Sequence, residues 1–387
     1  MDSAVPSDGP SARPRPRPVP LQPSSTRLIQ LDGLRGLAAL SVFLSHVAGF
    51  VPGEAGEFLR HPPLRVLWDG SAAVMLFFAL SGFVLSLPFT GEDSSIQPIG
   101  FLIRRIARLY PAYWAALILA LALRSLVLGH GPLLGVSPWA DSLWSDPVSP
   151  STLVKHFLMI APGIDTHAID PVIWSLVIEM KVSIVFPLIL VLVRNTARPG
   201  IALLVMTASL SASAYLRSLD VLPIFLGASY LAKYRLPLET WITGLPLVGK
   251  TCLFASGVFL YGTSSFLGKG SLRTILANGF GACLLLLMFL AWKPLAKLAS
   301  SRPVHFLGRV SYSFYLVHLP ILLLVYALLL PAVKSMAVCA LVSLLCSLLV
   351  AEAMYRVIES PAQDLGRRLS TTRTVSAEFP AISRPPD

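Results

Sequence analysis

A chain of 387 residues that is 55% hydrophobic, 13% charged and +11 in net charge is too apolar for an ordinary soluble protein, where charged residues make up about 25%. The charge does not indicate a nucleic-acid partner, because the basic residues sit in the tails and between apolar runs, where membrane topology and anionic lipid account for them. Cys252, Cys283, Cys339 and Cys346 lie inside apolar runs and form no CxxC pair, so neither a disulfide framework nor a metal site is expected. The expected fold class is all-α, a polytopic membrane protein with about 10 transmembrane helices.

Residues 1–30 are Pro-rich, carry Arg13, Arg15, Arg17 and Arg27, and have no apolar core, the composition of a disordered basic arm. Spans are predicted at 34–52, 71–89, 109–129, 173–193, 200–216, 221–234, 246–262, 273–291, 311–330 and 333–356, giving a membrane domain over 31–360 and a polar tail over 361–387. The surplus of Arg and Lys on the side of the arm predicts a multi-pass protein with both termini in the cytoplasm. The longest predicted outer loop, 130–172, contains an amphipathic piece at 152–160. It reads either as a cover over the mouth of a cavity or as a long connection.

Several spans carry ionisable groups, which are costly in lipid unless they face protein or water. In LDGLRGLAALSVFLSHV, Arg35 and His46 are eleven positions apart. That spacing puts them at nearly the same helical azimuth about 16 Å apart along the axis, with Asp32 within roughly 40° of the same line. His46 is either a packed, hydrogen-bonded residue or a group able to take a proton near neutrality, as a general base for an alcohol must. Ser81 and Gly82 in MLFFALSGFVLS are read as small residues for close helix packing. Arg104, Arg105 and Arg108 lie within one turn and are suited to forked contacts with phosphate, either of lipid head groups or of a substrate. Ser175, Glu179 and Ser183 form a polar stripe, with Lys181 pointing away from it and Trp174 at its start. Glu179 is open to a structural ion pair or a functional role. Ser311, Tyr315 and His318 share one face in GRVSYSFYLVHLP. There a satisfied core histidine competes with a functional one.

Taken together, these stretches resemble the membrane-bound acyltransferase 3 family of O-acyltransferases. Arg35 and His46 are similar to the family's pattern of Arg, ten residues, His; Arg105 and Arg108 to its RxxR; and FFALSGF, WSL through Glu179 and GRVSYSFYLVH to later blocks in the same order. The resemblance covers about 32–360 and does not include the SGNH-type esterase domain that some relatives carry at the C-terminus.

It implies transfer of an acyl group, taken as acetyl, from cytoplasmic acyl-CoA as co-substrate to a hydroxyl, without a metal. The acceptor it favours is a small-molecule metabolite such as a polyketide, terpenoid or macrolide, with a sugar or lipid-linked glycan as the alternative. The implied roles are His46 as general base, Arg35 steadying CoA or the oxyanion, and Glu179 orienting His46 or holding the acceptor. Arg105 and Arg108, helped by Arg104, would bind CoA phosphates, and Ser311, Tyr315, His318 and Trp174 would line the substrate cavity. A transporter or acyl exporter that uses the same charges as a path is the competing class.

Overall fold

The computed structural model describes residues 28–90, 96–128, 133–145, 147–196, 201, 204–205, 208–209, 220–267 and 271–375. The predicted arm, the span at 200–216 and the end of the tail fall wholly or mostly outside these residues. The described chain is helical in order as α1 (Ile29–Phe50), α2 (Gly53–Arg60), α3 (Gly70–Ser86), α4 (Pro98–Leu128), α5 (Pro138–Ser142), α6 (Pro150–Leu158) and α7 (Trp174–Asn195). It continues as α8 (Leu222–Lys233), α9 (Arg235–Gly244), α10 (Leu247–Tyr261), α11 (Ser264–Leu267), α12 (Leu272–Ala291), α13 (Lys293–Ala299), α14 (Arg302–Val333), α15 (Met336–Met354) and α16 (Ser360–Val375). Among the described residues, seven helical stretches are long and apolar enough to cross a membrane, and they match seven of the predicted spans. The other two described ones are shorter, 12 residues in α8 and 15 in α10, about 18 and 22 Å at 1.5 Å per residue.

Several long helices start before their apolar runs do. The sequence predicts starts at 34, 109 and 311, whereas the helices begin at Ile29, Pro98 and Arg302. Arginine is a good helix former, so loss of hydropathy ends the apolar run without ending the helix. The basic turns holding Arg104, Arg105, Arg108 and Arg309 are thereby built rigidly onto the bundle. The segment after the last span also departs from a plain polar tail: α16 lies against α4, with Gly366 against Ala107.

The centre of the bundle is the pair α1 and α14, with α3 on the other flank of α1 and α4 and α15 against α14. The pair approaches backbone to backbone. A Cβ at Gly36 would stand 2.5 Å from the Gly308 nitrogen, and one at Gly308 would run into the Asp32 carbonyl. Small residues at such crossings replace side-chain interdigitation with close main-chain contact, the usual glue where lipid removes the hydrophobic drive between helices. Gly82 plays the same part for α3, where a Cβ would be 2.8 Å from the Phe225 carbonyl of α8.

Gly308→Val should force α1 and α14 apart and cost about 1–3 kcal/mol or more, the range for overpacking. The check is a fall in the thermal unfolding midpoint of the purified protein, with Gly244→Ala, at a position with nothing within 4 Å of its Cβ, as the unaffected comparison.

Candidate active site

Two cavities open on opposite ends of the bundle and share Tyr315. The larger, about 680 Å³, is lined by Arg35, Arg104, Arg105, Arg108, Arg309 and Arg367 against Asp32 and Glu179, together with Ser81, Ser175, Ser311 and Tyr312. The smaller, about 440 Å³, holds Ser45, His46, Arg60, Arg65, Trp68, Trp139, Val172 and Trp174. Because α1 is one continuous helix, Arg35 and His46 share a side of it but serve different cavities, separated by the ~16 Å that eleven residues rise.

In the arginine cavity the polar stripe of α7 meets α4. Arg105 Nη2 donates to Glu179 Oε1 at 2.6 Å and Arg105 Nε to the Ser183 hydroxyl at 3.0 Å. Ser81 donates to the same Glu179 oxygen at 2.8 Å, so this serine is a polar partner as well as a small residue. Arg108 pairs with Glu359, a fully buried carboxylate at the π-turn Tyr355–Glu359 that also accepts from Ser313 at 2.6 Å and Gln363 at 3.1 Å. Arg35 Nη1 is 3.4 Å from Asp32 Oδ1. Arg104 has no carboxylate partner among the described residues. A guanidinium carries five N–H donors, so these pairings fix the arginines in place while leaving donors for an anion. The cavity keeps a surplus of positive charge over the carboxylates that line it.

At the other end, His46 Nδ1 lies 2.9 Å from His318 Nε2. His318 Nδ1 faces only carbonyl oxygens, Tyr315 O at 2.8 Å and Phe314 O at 3.2 Å. Carbonyls accept and do not donate, so His318 Nδ1 bears a proton. In the neutral pair its Nε2 accepts from His46 Nδ1–H, which puts the basic lone pair of His46 on Nε2. The Trp139 ring stacks on His46, with centroids 5.8 Å apart at 8°. The long loop thus covers this cavity. It is stapled to the end of α1 by Ser137, whose hydroxyl donates to the Gly49 carbonyl at 2.6 Å and whose N–H donates to the Phe50 carbonyl at 2.9 Å. Between the cavities, the hydroxyls of Ser175 and Tyr315 are 2.8 Å apart, and Tyr315 donates to the Val172 carbonyl at 3.0 Å.

The structure therefore brings Arg35, Arg104, Arg105, Arg108, Glu179 and Ser311 to one cavity, His46 and Trp174 to the other, and Tyr315 to both. Ser311 donates to the Gly308 carbonyl at 2.8 Å. His318 is fully buried behind His46. Glu179 bonds in the arginine cavity, and the group that accepts from the His46 Nδ1–H is His318 instead. Sequence reading missed Glu359, whose signal was a carboxylate ending an apolar span. It also missed Arg60, Arg65 and Trp139, which lie in loop-side segments with no spacing pattern to mark them.

Asp170 sits just before α7, where it accepts from the Val172 N–H at 3.4 Å and holds Pro171 and Val172 against the His46 cavity. Burial pushes its carboxyl up from an ordinary 3.8 to about 8. The folded state therefore holds this proton where the unfolded chain releases it. The associated stability is full below about pH 4 and declines as pH rises toward 8. Asp170→Asn should flatten this part of the dependence of unfolding midpoint on pH, with the variant gaining on the parent as pH rises.

The family described as Acyltransferase domain matches residues 28–352. Acyltransferase MdmB of Streptomyces mycarofaciens is 34% identical over 178 residues, 45% of this chain and 42% of that protein. Protein 2 in picA locus of Rhizobium radiobacter is 35% identical over 170 residues, 41% of this chain and 81% of that protein. O-acetyltransferase OatA of Staphylococcus aureus (strain NCTC 8325 / PS 47) is 25% identical over 370 residues, 87% of this chain and 57% of that protein. The aligned parts thus span about half the length of MdmB and OatA. No solved structure matches the chain. With a helical membrane bundle and a family match over most of its length, this chain belongs to the acyltransferase 3 family of membrane acyltransferases.

Proposed function

We propose that the protein transfers an acyl group, in the simplest case acetyl, from acyl-CoA in the arginine cavity to a hydroxyl of an acceptor in the His46 cavity. The observation that carries this reading is the meeting of an arginine-lined chamber and a histidine-lined chamber at Tyr315. The surplus of arginine suits the phosphates of CoA, with forked contacts from Arg104, Arg105 and Arg108 and a further charge from Arg35. The basic residues clustered at that end support a cytoplasmic orientation for it under the positive-inside rule. A proton path would not require such a phosphate-binding excess, which favours an enzyme over a transporter.

The chemistry is direct acyl transfer. The acceptor oxygen attacks the thioester carbonyl carbon as His46 Nε2 removes its proton; the C–S bond breaks and CoA thiolate leaves, to be protonated from the His46 imidazolium. His318 positions the base. It accepts from His46 Nδ1–H whether His46 is neutral or cationic, so the ring keeps one orientation through the cycle. Arg35 acts on CoA rather than on the oxyanion, because the helix rise separates it from His46. Tyr315 and Ser175 line the passage through which the thioester approaches, and Trp174 borders the acceptor. At 440 Å³ the acceptor cavity is at the small end of the ~300–1,000 Å³ typical of ligand sites. That size suits a small metabolite or the terminal ring of a larger acceptor.

Purified protein supplied with labelled acetyl-CoA and a panel of alcohols and glycosides should move label onto a hydroxyl. His46→Gln should lower the rate about 10²–10⁴-fold, the contribution of a general base, while acetyl-CoA binding measured by calorimetry stays within twofold. Arg104→Gln should weaken acetyl-CoA binding severalfold, and more so at low salt, with little change in acceptor affinity. Substrate flux into liposomes without acyl transfer would overturn the enzyme reading.

A further inference from the structure

The His46 cavity has a charge pattern that its proposed chemistry does not require. Its charged lining residues, apart from titratable His46, are Arg60 and Arg65, and no carboxylate is among the lining residues. Arg60 comes from α2, and its Nη1 donates to the Ala48 and Val51 carbonyls, both at 2.9 Å, which ties the guanidinium to the end of α1. Arg65 Nε is 3.5 Å from Asp69 Oδ2. That carboxylate is already well supplied: Oδ1 accepts the N–H groups of Ser71 at 3.0 Å and Ala72 at 3.1 Å, and Oδ2 accepts the hydroxyls of Ser264 and Ser265. Arg65 Nη2 is shielded from solvent and meets no acceptor among the described residues. An anionic oxygen bound in the cavity that Arg65 lines would give this guanidinium a further acceptor.

The remaining walls suit a ring that presents a C–H face to aromatic surfaces. Trp68 is fixed by a bond from Nε1 to the Leu59 carbonyl at 3.1 Å, Trp139 stacks on His46, and Trp174 stands beside them. Resting on the acyl-transfer reading of this cavity, we propose that the acceptor is an acidic sugar, a hydroxyl-bearing ring with a carboxylate or phosphate. Its anion lies in the fork of Arg65 beside Arg60, and its ring packs against the tryptophans with a hydroxyl turned to His46. Such an anchor selects by charge, because a cationic acceptor would meet two guanidiniums with no lining carboxylate to offset them.

The test uses the full chain in zwitterionic nanodiscs, titrated with octyl β-D-glucuronide, octyl β-D-glucoside 6-phosphate and neutral octyl β-D-glucoside and read by tryptophan fluorescence. At least one anionic glycoside should bind ten times or more tighter than the neutral one, and which of the two does so identifies carboxylate or phosphate. Arg65→Gln should cut the advantage to under threefold, and Arg65→Lys, which keeps the charge but loses the fork, should give an intermediate value. Unfolding midpoints establish that the variants are folded. Equal binding of all three, binding of none, or an advantage that survives Arg65→Gln in folded protein would overturn the proposal. Labelled acetyl-CoA in the same preparation separates the two readings. A charge preference without acyl transfer to any glycoside leaves the anion site standing and removes the enzyme reading, whereas equal transfer to neutral and anionic glycosides does the reverse.

Discussion

The main-chain contact between α1 and α14 at Gly36 and Gly308 is the constraint on which both chambers depend. With a side chain at either position the helices would stand further apart. His46 and His318, separated by 272 residues in sequence, would then no longer be within 2.9 Å. The same contact puts Arg35 and Asp32 of α1 beside Ser311 and Tyr312 of α14 in the arginine cavity. Glycine here is a matter of closeness rather than of unusual backbone geometry. Lipid offers no gain for burying one apolar helix on another, so backbone proximity and interhelical polar bonds must hold the pair.

Charge is managed differently at the two ends. In the arginine cavity each buried cation that crosses between helices has a carboxylate of its own, Arg105 with Glu179 and Arg108 with Glu359. Breaking one side of such a pair leaves a stranded charge, whereas keeping both fixes helix register. These pairs join α4 to α7 and to the turn before α16, and they orient guanidinium edges toward the cavity. At the His46 end the polar groups are mostly neutral and are fixed by carbonyls: His318 by α14's own main chain, and Ser137 by the end of α1. The two chambers adjoin at Tyr315, whose hydroxyl bonds that of Ser175.

Much of the site is legible from helix periodicity because its parts lie on single helices. Ser175, Glu179 and Ser183 recur every fourth residue, and the structure turns all three inward while Lys181 is exposed. Ser311, Tyr315 and His318 fall on one face, and all three are buried. The helix boundaries were less legible, since hydropathy reports where lipid contact ends and arginine-bearing turns continue the helix beyond it. The segment after Glu359 reads as polar, yet α16 packs on α4 and brings Gln363 and Arg367 to the arginine cavity.

By itself, the sequence determined a helical membrane chain, the seven long spans among the ten it predicted, and which faces carry ionisable groups, because length, hydropathy and a 100° turn per residue are local properties. It also placed Arg35 and His46 about 16 Å apart on one side of a helix, which already assigned them to different depths. Only the tertiary structure decided partners. That Glu179 meets Arg105 and Ser81, that His318 fixes the tautomer of His46, and that Arg65 from a loop turns into the same chamber all depend on which helices are neighbours. No periodicity within one helix encodes that choice. It is set by the fit of glycine against backbone and of carboxylate against guanidinium across the bundle.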